Sequence, residues 1–188
     1  MHDPVMALNG ARFEGFVTIS EQPVRGMISL RADLTNSKIA KLVKKQTGCE
    51  MPEQGGAEFG EEAAVFWMSP DEALILCDYS DAPRRALALR EELGDIHSLI
   101  TVVSDARTSF RIEGAQWRDV LAKLTPADIA PDHFAPGMLR RSRIAQTAAA
   151  FWTEEEESAE LICFRSVAQY VFELLKTSAK PGSELNVF

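Results

Sequence analysis

The residues able to do chemistry in this chain are few and scattered. Its three cysteines, Cys49, Cys77 and Cys163, lack the Cys-x-x-Cys spacing of a metal knuckle or dithiol pair and are too few for a disulfide framework. Cys77 and Cys163 fall inside apolar, strand-like runs, where a thiol behaves as a small buried hydrophobe. His2, His97 and His133 stand alone, with no second ligand at i+3 or i+4 to complete a metal-binding face, so surface or structural roles are expected. The glutamates at 154–157 occupy a turn-like position without the glycine bend of a calcium loop, which predicts a solvated turn.

Arg140, Arg141 and Arg143 form the densest basic cluster. On an extended strand Arg141 and Arg143 share one face, able to grip a carboxylate or to pair with some of the chain's 28 acidic residues. Asp105 and Arg107 alternate in the same way near Arg111 and Glu113, either pairing with each other or lining a polar pocket. Neither a Gly-x-Gly-x-x-Gly turn nor a Gly-x-x-x-x-Gly-Lys-Ser/Thr loop is present, so no dinucleotide or nucleoside triphosphate site is written in recognisable form. No catalytic, cofactor-binding or metal-binding residue is assigned on these grounds.

The elements that must position these side chains follow from hydrophobic periodicity. The expected strands are 13–21, 27–31, 63–68, 73–78, 96–107, 109–113, 140–152 (bent around Gln146) and 160–164. Thr35-Asn36 caps a helix whose buried stripe is Ile39, Leu42 and Val43, with Lys38, Lys41, Lys44 and Lys45 mostly opposite and Gly48 as its stop. The stretch 52–62, rich in Gly and Glu with Gly55-Gly56 at its centre, reads as an exposed loop. A second helix runs over 80–93 from a Ser80 cap, with Pro83 tolerable in its first turn and Gly94 at its end. Trp117, Val120, Leu121 and Leu124 mark a third, followed by an irregular crossing anchored by Phe134. The last, at 166–178, is apolar around most of its circumference through Ala168, Tyr170, Val171, Phe172, Leu174 and Leu175. It must be either central to the fold or docked on another chain.

These elements occur in two similar sets. Ala63-Ala64-Val65-Phe66-Trp67 and Leu74-Ile75-Leu76-Cys77 are echoed by Ala148-Ala149-Ala150-Phe151-Trp152 and Leu161-Ile162-Cys163, with one extra residue assigned to the intervening turn. The expectation is an α+β fold of two pseudo-repeated β-α-β-β-α halves, helices packed on largely antiparallel sheets. The chain reads as a single domain, 1–188, with halves at about 13–104 and 105–179 and a flexible tail at 180–188. Strand 13–21 is expected to supply the edge that the second half lacks.

Composition narrows the setting. With 46% hydrophobic and 26% charged residues the chain is ordinary for a soluble protein, and no apolar run approaches the ~18 residues of a membrane span. Met1-His2-Asp3-Pro4 lacks the basic and apolar regions of a signal peptide, so a cytoplasmic location is expected. A formal charge of -8 argues against general attraction to nucleic acid phosphates.

From about Val103 onward an ordered series carries a family resemblance. It comprises Ser104-Asp105-Ala106-Arg107, Arg111-Ile112-x-Gly114, Arg118-Asp119-Val120-Leu121-Ala122-Lys123, Pro126-x-Asp128, Phe134-x-Pro136-Gly137, Ala145-Gln146, Phe151-Trp152 and Phe164-Arg165-Ser166-Val167-Ala168-x-Tyr170-Val171. A looser match lies at Trp67-Met68-Ser69-Pro70-Asp71-Glu72-Ala73-Leu74. The series resembles the gamma subunit of heterotetrameric sarcosine oxidase. That resemblance implies a fold like the folate-binding domain of the glycine-cleavage T protein (aminomethyltransferase), with alpha, beta and delta subunits as partners. It further implies that FAD, FMN, NAD and tetrahydrofolate sit on those other subunits, and that this chain is a non-catalytic structural subunit. The complex would demethylate sarcosine to glycine, yielding formaldehyde or 5,10-methylenetetrahydrofolate and hydrogen peroxide. Folate-using relatives carry a Gly-Gln-Glu type signature, whereas Gln146 is followed here by Thr147. Two alternatives stand beside this reading: an independent folate-binding or folate-dependent one-carbon transfer protein, and a homodimer joined through the last helix.

Overall fold

The computed structural model describes residues 4–188. Its elements begin β1 (Arg12–Glu14), β2 (Thr18–Glu21), β3 (Gly26–Ala32), α1 (Ser37–Thr47), β4 (Ala57–Phe59), β5 (Ala63–Ser69) and β6 (Glu72–Cys77). They continue with α2 (Ala82–Leu93), β7 (Ser98–Val102), β8 (Arg107–Glu113), α3 (Trp117–Ala122), β9 (Met138–Ile144), β10 (Thr147–Thr153), β11 (Ser158–Phe164) and α4 (Ala168–Ser178). Among the described residues two compact units result, 25–104 and the pair of segments 4–24 and 105–188. This is the expected mixed architecture of two antiparallel sheets with helices.

In the 25–104 unit the strand order is β4-β5-β6-β3-β7. Every residue of β6 is buried, as a central strand requires, and its one carboxylate, Glu72, is met by Ser29 Oγ at 3.1 Å and the Arg31 guanidinium at 3.0 Å. Ile39, Leu42 and Val43 of α1 and Ala82, Ala86, Leu89 and Leu93 of α2 pack with Ile28, Leu30, Val65 and Ile75. The α1 ends are those the sequence predicts. Asn36 Oδ1 accepts from Lys38 N at 2.9 Å, a cap that stabilises by about 1 kcal/mol, and Gly48 adopts the left-handed conformation at φ 78°.

Three expectations change in this unit. Helix α2 follows Asp81 rather than Ser80, and the loop at 52–62 contains the short edge strand β4. The strand expected over 96–107 stops at Val102, and Ser104–Ala106 forms a 3-10 turn. There Val103 N donates to the Met27 carbonyl at 2.8 Å, and Ser104 Oγ accepts from Met27 N at 2.9 Å, replacing the next rung of the ladder with a side chain. Asp105 and Arg107 therefore do not alternate along one strand.

The second unit carries the order β1-β2-β8-β11-β10-β9. The amino-terminal segment supplies the edge beyond β8, as expected, with Ile19 opposite Ile112. It does so as a hairpin rather than one strand, because the chain reverses through Gly15. A Cβ there would lie 1.9 Å from the Ala179 carbonyl oxygen, while Phe16 N donates to that same oxygen at 3.0 Å. The expected strand over 140–152 is likewise two strands. Ile144 pairs with Thr147 around Ala145-Gln146, and Ala145 takes a positive φ of 51°. Behind the sheet, Trp117 meets Phe134 edge-on at 6.0 Å and Phe134 meets Phe151 at 5.6 Å, which makes Phe134 the anchor of the crossing. Ala168, Val171, Phe172 and Leu175 of α4 join this core, with Phe172 5.9 Å from Phe110, while Tyr170 remains exposed. The tail at 180–188, expected to fray, is held against α3, where Asp119 accepts from Leu185 N at 2.9 Å and Asn186 N at 2.8 Å.

The two halves repeat with a different register from the one their letters suggest. Ala63 faces Cys77 and Ala149 faces Cys163, so these positions correspond. On that register Val65 matches Phe151, and both enter their unit's helix-side core. Phe66 then matches Trp152, both buried but outside those cores. Both matches, Ala63 with Ala149 and Cys77 with Cys163, lie 86 positions apart, so the two hairpins have equal length and the turn holds no extra residue.

Candidate functional site

The polar side chains with chemical potential sort into groups that the fold uses as ties. Burial pushes the Cys77 thiol up to about 11 and the Cys163 thiol up to about 12, and it raises Cys49 as well. All three are buried and protonated at neutral pH, the inert state for nucleophilic attack or metal ligation. Cys49 Sγ lies 3.3 Å from the Ala63 carbonyl oxygen, a weak tie between the end of α1 and β5.

His2 lies outside the described residues. His97 borders an open cleft of about 630 Å³ with Arg31, Asp33, Asp71 and Leu99. His133 Nδ1 hydrogen-bonds the Asp128 carboxylate, whose pKa is held below the ordinary range by the Ala130 N–H and then by His133. Among the described residues, no three His, Cys, Asp or Glu side chains converge as a metal site.

The glutamate run forms the turn between β10 and β11. Its carbonyls serve the fold, Glu156 accepting from Trp117 Nε1 at 2.9 Å and Glu157 from Gly114 N at 2.8 Å, while the Glu155 carboxylate takes Arg111 at 2.7 Å. In the arginine cluster, Arg140 lies over the Phe134 ring at 5.2 Å and donates to the His133 carbonyl. Arg141 and Arg143 project from β9, both exposed and on the same face, as the alternation predicts. Arg107 packs over the Phe164 ring at 5.3 Å. Gln146 sits exposed in the β9–β10 turn.

A second open cleft, about 560 Å³, is bordered by Lys45, Gln46, Glu61, Glu62, Arg84 and Arg85. Its cations are matched by carboxylates: Lys45 with Glu92 at 2.7 Å, Arg84 with Asp81 at 3.3 Å, and buried Arg85 with Glu62 at 2.9 Å. Arg85 also donates to the Gln46 carbonyl, fixing α2 to the end of α1. The C-terminal carbonyl end of α1 faces this place, which makes it a poor receptor for an anion.

The most deeply built polar constellation was not singled out for a role from sequence. Arg118 is buried with its guanidinium 4.3 Å from the Trp117 ring, donating to the carbonyls of Ile129 and Phe134, the latter at 2.8 Å. Desolvation lowers its pKa from the ordinary value, while these carbonyls satisfy the charge. Beside it Asp119 binds the tail, and Lys123 donates to the Ser178 carbonyl at 2.7 Å and to Ser183. A charged pair following a buried Trp, on an otherwise apolar helix face, is the one sequence signal that could have marked it.

The model of the sarcosine oxidase, gamma subunit family matches residues 31–180. The chain is 29% identical over 153 residues to sarcosine oxidase subunit gamma from Corynebacterium sp. (strain U-96), covering 79% of this chain and 72% of that protein. Its fold is similar to a chain of the heterotetrameric sarcosine oxidase from Corynebacterium sp. U-96 in complex with pyrrole 2-carboxylate. The TM-score is 0.80 at 24% identity, over 89% of this chain and 87% of that one. A more distant likeness joins it to glycine cleavage system aminomethyltransferase T from Bartonella henselae, TM-score 0.60 at 10% identity, over 86% of this chain and 46% of that one.

Proposed function

The chain belongs to the sarcosine oxidase gamma subunit family, and from that premise we propose that it serves as a non-catalytic structural subunit of a heterotetrameric oxidoreductase acting on sarcosine. The observation that carries this reading is the family match across residues 31–180. Supporting it, the buried charged side chains are engaged with the chain's own backbone and elements: Arg118 with Ile129 and Phe134, Asp119 with the tail, Arg85 with Gln46 and Glu62. Such groups stabilise a shape.

In this reading alpha, beta and delta subunits are the partners, and FAD, FMN, NAD and tetrahydrofolate reside on them. The assembly converts sarcosine to glycine in the cytoplasm and passes on the one-carbon unit. No helix among the described residues is long and apolar enough to cross a membrane.

Co-expression with the larger subunits should give a stable co-purifying assembly, and a chain that stays alone would overturn the reading. Calorimetry of the isolated chain with tetrahydrofolate separates it from a folate-binding protein, which would give saturable heat where a structural subunit gives none.

A further inference from the structure

The sequence holds one Asn-Gly pair, Asn9-Gly10, the dipeptide in which a side-chain amide is most open to attack by the next backbone nitrogen, since glycine puts no Cβ beside that nitrogen. Both residues are exposed and lie in the segment ahead of β1. They take successive positive φ values, 54° and 78°, the conformation that Asn-Gly favours at the centre of a tight turn. In the left-handed region ψ is about +47°, which turns the Gly10 nitrogen away from the Asn9 side chain. Ring closure between the two requires this turn to open.

A single carboxylate holds the turn. Glu21 is 5% exposed and accepts from Leu8 N at 3.0 and 3.1 Å and from Gly10 N at 2.9 Å, one donor on each side of Asn9. Thr108 Oγ1, at 3.2 Å, fixes the same carboxylate from β8. The Gly10 N–H is thus engaged by Glu21, and the negative charge beside it opposes loss of its proton, the step that makes the nitrogen a nucleophile. Opening the turn would take two donors from a buried carboxylate, which keeps the open form rare.

We propose that Asn9 is a modification site gated by Glu21, an asparagine that deamidates only when the amino-terminal turn lets go of this carboxylate. In the open turn, hydroxide takes the Gly10 proton and the nitrogen attacks Asn9 Cγ. The N–Cγ bond forms, the Cγ–Nδ2 bond breaks, and the side-chain nitrogen leaves as ammonia with a proton supplied by water. A second water opens the cyclic succinimide at either carbonyl, leaving a carboxylate and either an aspartyl or an isoaspartyl linkage, with no oxidation or reduction. Both products place a new negative charge close to Glu21, and like charges repel. The isoaspartyl linkage also adds a main-chain carbon between Leu8 N and Gly10 N, which must reach one carboxylate together. The turn therefore does not reclose on Glu21, and conversion is a one-way record that the segment before β1 has opened.

The test holds the full chain at mildly alkaline pH and follows conversion at each asparagine by peptide mass spectrometry. Asn36, followed by Ser37 and fixed as the α1 cap, is the internal control. Glu21→Ala should speed conversion at Asn9 by about tenfold or more with Asn36 unchanged, and Glu21→Gln, an uncharged acceptor of the same shape, should fall between. In the unaltered chain, converted molecules should exchange the Leu8 and Gly10 amide hydrogens faster than unconverted ones. The proposal is overturned if neither variant converts Asn9 faster than the unaltered chain does. It is overturned if Asn9 and Asn36 accelerate in step in both variants, since loss of the fold would then be the cause. An unaltered chain that converts Asn9 as fast as a free peptide spanning 4–14 also overturns it, because Glu21 would then guard nothing. Converted molecules that keep both amides protected would overturn the one-way step.

Discussion

The hairpins β5–β6 and β10–β11 are the same device in two environments, and the difference lies in what fills the corresponding core position. Val65 of the first corresponds to Phe151 of the second. The first unit covers its sheet with α1, of 11 residues, and α2, of 12, and needs only aliphatic side chains beneath them. In the second, α3 has only six residues, and the space is taken by Trp117, Phe134 and Phe151 stacked edge to face. Aromatic volume replaces helix length. A shorter helix also leaves more backbone to be satisfied, and Arg118 supplies donors to the crossing that follows it.

The largest expected effect tests that substitution of volume. Phe151→Ala should destabilise by about 3–5 kcal/mol and Val65→Ala by about 2 kcal/mol in urea unfolding, because a larger cavity opens beside Phe134. Equal losses would break the argument that the two positions are filled differently. Next, Arg118→Met strands the carbonyls of Ile129 and Phe134 and should cost about 2–4 kcal/mol. Arg85→Met should cost less, since it strands one backbone carbonyl, that of Gln46, against two for Arg118, and its carboxylate partner Glu62 is exposed and regains water. A reversed order would show that buried backbone acceptors are not what separates the two units.

The thiols give a pH test in each half. Cys77 and Cys163 have folded pKa values raised above the ordinary 9.0, so stability is intact below pH 9 and falls as pH rises toward about 11 and about 12 respectively. By pH 10 each should contribute a loss of about 1 kcal/mol, and replacing either cysteine by alanine should remove its share of the slope. An unchanged slope in Cys163→Ala would contradict burial as the cause. The smallest difference concerns helix ends. Asn36→Ala should lower the melting free energy by about 1 kcal/mol, whereas Gln116→Ala, before α3 where no side-chain cap bond forms, should stay within about 0.5 kcal/mol.

Local signals carried much of this fold. The α1 stripe, its Asn36 and Gly48 ends, the paired hairpins and the Phe134 anchor each depend on neighbours a few residues away. The addition of the amino-terminal segment to β8 was also legible, because one half visibly lacked an edge. Failures came where a distant group decided a local question. Strand β7 ends early because Ser104 meets Met27, 77 residues away. The β9–β10 reversal is hidden because Ala145, not glycine, takes the positive φ. The Phe-Trp echo misled because a slip of one residue exchanges the two faces of a strand, and letters alone do not say which face is which. Arg118 and Asp119 were visible as letters, but their partners at Phe134 and Leu185 lie too far along the chain for periodicity to connect them.

The strand β2 brings Glu21 to Thr108, 87 positions along the chain, whose hydroxyl donates to its carboxylate at 3.2 Å. During synthesis, therefore, the first strands to leave the ribosome wait for the last unit to emerge, while 25–104 can close around itself in the interval. At roughly 5–20 residues per second, that wait is about 4–17 s. Throughout it β2 offers an unpaired edge, so the pace of translation through the inner segment sets how long this chain is open to wrong strand partners.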